Sequence, residues 1–151
     1  MNYELRIKKG FTLIEFIVAI TILIILASIS VFTYRSIQPS LQLSGATRNL
    51  VTDLRYAQQL AVTEQKDHGV WFSTTTEDKY QIIRHENSAT TTIKEVVLEE
   101  ISFQYISPLT DNEVRFNPYG AAREMATTTL STDNKTKTIK ISPSGFVKIL
   151  D

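Results

Sequence analysis

Apolar side chains fill nearly every position from Phe11 to Phe32 (FTLIEFIVAITILIILASISVF), with neither Gly nor Pro among them. Such a run predicts a helix that is apolar on every face. About 22 residues at 1.5 Å each span roughly 33 Å, which matches a bilayer core. A helix packed into a soluble core rarely stays apolar all round. Pro39 and Gly45 are the first helix-weakening residues after the run, and Pro39 predicts a kink or a flexible joint. Helical spacing then returns. Leu43, Ala46, Leu50, Leu54, Ala57 and Ala61 recur every three or four residues and form one apolar stripe. Arg48, Asn49, Asp53, Arg55, Gln58, Gln59 and Glu64 are expected on the other sides, and the helix is expected to stop beyond Lys66, with a cap near Asp67-His68-Gly69.

From Gly69 the period shortens to that of strands. Val70-Trp71-Phe72 and Tyr80-Gln81-Ile82-Ile83 flank a polar run and predict a hairpin. Further strands are expected at Ile93 to Leu98, Ile101 to Ile106, Val114 to Phe116, Thr127 to Ser131, Lys137 to Ser142 and Phe146 to Leu150. Asn117-Pro118-Tyr119-Gly120 and Pro143-Ser144-Gly145 are turn signals between them. One long helix followed by short strands indicates an α+β fold in which an antiparallel sheet wraps the stripe. The expected division is 1–10, 11–34, 35–68 after the Pro39 joint, and a β-rich globular part at 69–151.

Charge sharpens this picture at the N-terminus. The chain of 151 residues carries no net charge and no Cys, which removes disulfides, thiolate metal sites and cysteine nucleophiles. A zero balance also argues against a dedicated polyanion binder. Yet Arg6, Lys8 and Lys9 stand just before the apolar run against the single acid Glu4. The positive-inside rule therefore puts the N-terminus in the cytoplasm and the remainder outside, as a single pass through the cytoplasmic membrane. Glu15 sits inside the run, where a lone carboxylate costs about 2.5–3.5 kcal/mol on insertion scales. The segment holds no Lys, Arg or His to pair with it. A free amine created at Phe11 would supply the partner, from the same chain or a neighbouring one. An ordinary signal peptide cut near Ser28 and Ser30 is the rival reading. It leaves Glu15 unexplained.

Lys8-Lys9-Gly10-Phe11-Thr12-Leu13-Ile14-Glu15 resembles the processing site of type IV prepilins and type II secretion pseudopilins. The resemblance implies that a membrane-embedded prepilin peptidase cuts between Gly10 and Phe11 and methylates the new Phe11 amine. It also implies that Glu15 pairs with a neighbour's N-terminus during assembly. The expected partners are then that peptidase, other pilin or pseudopilin subunits, an inner-membrane assembly platform and the lipid bilayer. Many major pilins carry a proline near the position of Phe32, whereas here the first is Pro39.

Asp53-Leu54-Arg55-Tyr56-Ala57-Gln58-Gln59-Leu60-Ala61-Val62 resembles the helix segment of the GspH/FimT group of pseudopilins. Arg115-Phe116-Asn117-Pro118-Tyr119-Gly120 and Ser142-Pro143-Ser144-Gly145-Phe146-Val147 resemble its strand–turn signals, although position 58 is Gln where the group often has Arg. The implied role is a minor structural subunit of a type IV pilus or a type II secretion pseudopilus. The alternative is an adhesive or DNA-binding minor pilin of attachment or natural transformation. For DNA this chain offers only Lys135, Lys137, Lys140 and Lys148, without interleaved aromatics or any Arg, a pattern that also guards a solvated strand edge. Nucleic acid is therefore not an expected partner. No nucleophile elbow, phosphate loop or His-rich spacing is present, so neither an enzyme nor a cofactor or metal site is expected. His68 and His85 are expected at the surface, and the Thr triplets at 74–76, 90–92 and 127–129 are candidate glycan acceptors.

Overall fold

The computed structural model describes residues 10–75, 77–86, 89–106, 110–132 and 135–150, with the backbone alone described at 30–33, 35 and 110. Arg6, Lys8 and Lys9 lie outside the described residues, as do Thr76 and the side chain of Phe32. Helix α1 runs Leu13–Glu64 and includes Pro39. The chain divides into two compact units at Gln38/Pro39, inside this helix.

In the first unit, side chains from Leu13 to Ile29 are exposed on all sides of the helix. Among the described residues no helix is long and apolar enough to cross a membrane.

In the second unit the Pro39–Glu64 part of α1 buries its stripe: Leu43, Leu50, Leu54, Ala57 and Ala61 are inaccessible, and Thr47 and Val51 join them. Eight strands follow, β1 His68–Ser73, β2 Lys79–Glu86, β3 Ala89–Val97, β4 Ser102–Ile106, β5 Glu113–Phe116, β6 Ala126–Thr132, β7 Lys135–Ile141 and β8 Val147–Leu150. They form two antiparallel four-stranded sheets among the described residues, ordered β3-β2-β1-β5 and β4-β6-β7-β8, where the sequence suggests one. Alternation decides which side chains enter the core. Val70, Phe72, Tyr80, Ile82, Val114 and Phe116 do so from the first sheet, and Phe103, Leu130, Ile139, Ile141 and Val147 from the second. Phe72 and Phe103 meet edge to face, with ring centres 5.4 Å apart, and so join the two sheets.

Three local expectations need correction. The helix ends at Glu64, and the left-handed residue that terminates it is Gln65 (φ 55°), not Gly69. Gly69 lies within β1. Asp53, expected on the solvent side, is buried. Its carboxylate accepts from Tyr80 Oη at 2.8 Å and from Lys94 Nζ at 2.7 and 2.8 Å, which satisfies it without water. His68, expected at the surface, is wholly buried, and its Nδ1 lies 3.1 Å from the Lys66 carbonyl.

Candidate functional site

The start of α1 is built by four residues. Gly10 and Phe11 precede the helix, Thr12 is its N-cap and Leu13 its first turn. Glu15 falls at the third helical position, which makes Thr12-Leu13-Ile14-Glu15 a capping box. The Glu15 N–H donates to Thr12 Oγ1 at 3.3 Å, and the Thr12 N–H donates back to Glu15 Oε2 at 2.9 Å. Thr12 Oγ1 also donates to Oε2, at 2.9 Å, and the Phe16 N–H closes the first helical turn on the Thr12 carbonyl at 3.2 Å. Sequence reasoning that searches only for a cationic partner misses this arrangement. The signal is present in the four-residue spacing of Thr and Glu.

The arrangement has a chemical consequence. One carboxylate oxygen is committed to the helix start, which orients the side chain toward the N-terminal end of the chain. The negative charge also sits at the positive end of the helix dipole. Glu15 Oε1 has no partner among the described residues and is open to a cation approaching from outside. Phe11 is exposed beside it.

The four candidate lysines are not gathered into one patch. Lys140 pairs across strands with Lys148, and both are exposed. Lys135 and Lys137 fall on the alternate face of β7, the face that carries buried Ile139 and Ile141. A backbone-tracking basic groove needs its cations on one surface. The register of β7 divides them.

A second constellation holds the two turns signalled in the sequence. Gln58 reaches from α1 and its Nε2 donates to the Gly120 carbonyl at 2.7 Å. Gly120 (φ 79°) and Gly145 (φ 81°) both need the left-handed region. A Cβ on Gly145 would lie 2.1 Å from the Gly120 carbonyl oxygen and 2.3 Å from Gln58 Nε2, so only glycine fits. Asn117 Oδ1 accepts from the N–H groups of Tyr119 and Ala121 and closes the first turn. Gln58 thus joins the helix to both turns.

Comparison with known proteins covers both segments. The family described as Type II transport protein GspH matches residues 46–145, the stretch from the buried stripe to Gly145. The Prokaryotic N-terminal methylation motif matches residues 5–31. No curated protein matches the chain. Among solved structures, the type IV minor pilin FimU of Pseudomonas aeruginosa is similar in two crystal forms. One has a TM-score of 0.62 at 15% identity, covering 80% of this chain and 92% of that one. The other has a TM-score of 0.60 at 14% identity, covering 72% and 93%. The minor pseudopilin EpsH from the type 2 secretion system of Vibrio cholerae has a TM-score of 0.58 at 11% identity, covering 72% and 96%. These likenesses show the fold, a long helix packed on antiparallel sheets. With the capped apolar helix start and the Gln58-bridged turns both inside matched segments, the chain belongs to the GspH family of type II transport proteins and carries the prokaryotic N-terminal methylation motif.

Proposed function

We infer that this chain is a minor structural subunit of a type IV pilus or type II secretion pseudopilus, delivered and assembled through its N-terminal helix. The observation that carries the reading is the start of α1: an all-round exposed apolar helix, opened by a capping box that leaves one oxygen of Glu15 free. In this reading residues 1–10 are a leader removed by prepilin peptidase, with Arg6, Lys8 and Lys9 holding it at the cytoplasmic face. Gly10 allows the peptidase close access to the backbone. The new Phe11 amine, still cationic after methylation, pairs with Glu15 of a neighbouring subunit.

Before assembly, residues 11–34 sit once across the cytoplasmic membrane, while 35–68 and 69–151 lie outside. Extraction then exchanges lipid for neighbouring helices, which is nearly neutral for apolar area. The Glu15–amine pair sets the register between subunits. The assembly platform and the other pilin subunits are the remaining partners.

Intact-mass measurement of the chain co-expressed with a prepilin peptidase tests this reading. The expected product lacks residues 1–10 and gains one methyl group. A product that begins beyond Ser30 would make the apolar run an ordinary signal peptide and end the proposal.

A further inference from the structure

The outer face of the first sheet, turned away from the core, carries a hollow of about 430 Å³. Ile83 of β2 lines it, paired across the strands with Gly69 of β1, and Ile83 is buried although it lies outside the hydrophobic core. Trp71 and Gln81 stand on one side, with His85, Thr90 and Thr92 on the other, and the Gln81 amide is already engaged by Glu95 and Thr92. Glu113 and Arg115 close the end along β5.

Glu113 is the unusual member, because its side chain is only 4% exposed on the solvent side of a sheet. It lies over Gly69, where a Cβ would collide with it. Arg115 grips both its oxygens, Nε at 3.2 Å and Nη2 at 2.9 Å, and His85 Nε2 is 2.7 Å from Oε1. The carboxylate accordingly raises the Arg115 pKa, with smaller contributions from the charges of Asp67 and Asp111. A buried charge held on three sides is expensive to build and makes a rigid wall.

The groups left over define the ligand. The Trp71 indole N–H and the Thr90 hydroxyl make no hydrogen bond among the described residues, and Asp111 stands exposed at the rim. An anion would meet Asp111 and Glu113, while Arg115 is already occupied. A cation would meet the guanidinium of Arg115, and both Glu113 oxygens are already engaged by Arg115 and His85, which leaves it only Asp111 at the exposed rim. An apolar ligand would bury the threonine and aspartate unpaired. What fits is a neutral ring with one apolar face for the indole and hydroxyls at its edge. The volume lies within the ~300–1,000 Å³ of small-molecule sites. We propose that the hollow between Trp71, His85, Thr90 and Glu113 binds a neutral saccharide unit. The site is separate from the helix start and independent of the filament reading.

Trp71 is the one tryptophan in the chain, so its fluorescence reports on this hollow alone. The full chain is held in a detergent without a sugar headgroup, since a maltoside would itself compete. It is titrated with neutral hexoses, N-acetylhexosamines, their oligomers and purified polysaccharides. At least one should give a saturable change with a Kd on the order of 0.1–10 mM. Monomer binding points to free sugar as the source, and binding of polymers alone points to a surface or secreted glycan. Uronic acids should bind at least tenfold more weakly than their neutral counterparts. A Thr90→Val, Asp111→Asn double variant changes only exposed positions and should weaken binding about tenfold, with unchanged circular dichroism. Absence of a saturable change across the set, preference for acidic sugars, or undiminished binding by the double variant would each overturn the proposal.

Discussion

Thr12 and Glu15 close a reciprocal pair, in which each backbone N–H is satisfied by the other's side chain, at 2.9 and 3.3 Å. The carboxylate therefore has two separable roles, capping its own helix and presenting charge to a neighbour. Glu15→Gln separates them, because an amide oxygen still caps but carries no charge. We expect Glu15→Gln and Glu15→Ala both to insert in membranes and both to be missing from sheared filaments on immunoblots. Thr12→Val should lower incorporation only severalfold, since losing the cap costs about 1 kcal/mol. Normal incorporation of Glu15→Gln would reduce the residue to a helix cap.

Lys94 should prove structural although its side chain is 48% exposed. Removing it leaves the Asp53 carboxylate, 7% exposed, with only the Tyr80 hydroxyl. Breaking a fully buried pair costs about 3–5 kcal/mol, and partial exposure of the lysine lowers the expectation for Lys94→Met to about 2 kcal/mol. Asp53→Asn keeps an oxygen for Tyr80 and should cost about 1 kcal/mol. Urea unfolding of the Pro39–Asp151 unit measures both. Equal stability of Lys94→Met and the parent would show that the pair contributes nothing.

The same network sets behaviour in alkali. Burial, first, and then the hydrogen bond and charge of Asp53 raise the Tyr80 pKa far above the ordinary phenol value. In the unfolded chain the phenol ionises near pH 10. Above that pH the unfolded state sheds a proton that the folded state keeps, so stability falls as pH rises. Stability measured between about pH 9 and 11 should decline in the parent and decline less in Tyr80→Phe. Parallel pH profiles would exclude Tyr80 as the cause.

Most of this fold was legible in the chain, and the failures have identifiable reasons. The apolar stripe and all eight strands are local patterns, and each strand overlaps its expected segment, although β3 begins at Ala89 rather than Ile93 and β7 at Lys135 rather than Lys137. The split into two sheets is set by non-local pairing, such as β1 with β5, which no local period encodes. Asp53 was misplaced because a polar residue on a helix reads as solvent-facing until a distant Lys94 and Tyr80 supply its partners. Gly69 read as a helix cap because its need for space comes from Glu113, far along the chain. The N-terminal methylation motif was legible as charge and spacing.

The lysines of β7 and β8 yield a negative expectation. Lys140 and Lys148 stand together, but Lys135 and Lys137 occupy the other face of β7. Two adjacent cations release few counterions from DNA. The Pro39–Asp151 unit should therefore not retard duplex DNA even at low salt. Retardation abolished by Lys140→Ala with Lys148→Ala would restore the transformation reading.

Two glycines should respond in opposite directions to the same substitution. Gly45 lies inside α1 with nothing within 4 Å of an added Cβ, so Gly45→Ala removes backbone freedom from the unfolded chain without a clash. It should stabilise by about 0.5–1 kcal/mol. Gly145 has φ 81°, and its added Cβ would meet the Gly120 carbonyl oxygen at 2.1 Å. That oxygen is fixed by Gln58, so relief requires parting the helix from both turns. Left-handed strain of about 1–2 kcal/mol adds to the clash, and Gly145→Ala should cost at least about 3 kcal/mol in all. Gln58→Ala in the same background should recover part of the loss, since it frees the turn to shift. Urea midpoints of the four proteins decide the matter: additive losses for Gly145→Ala and Gln58→Ala would mean that the two turns are not held together through Gln58.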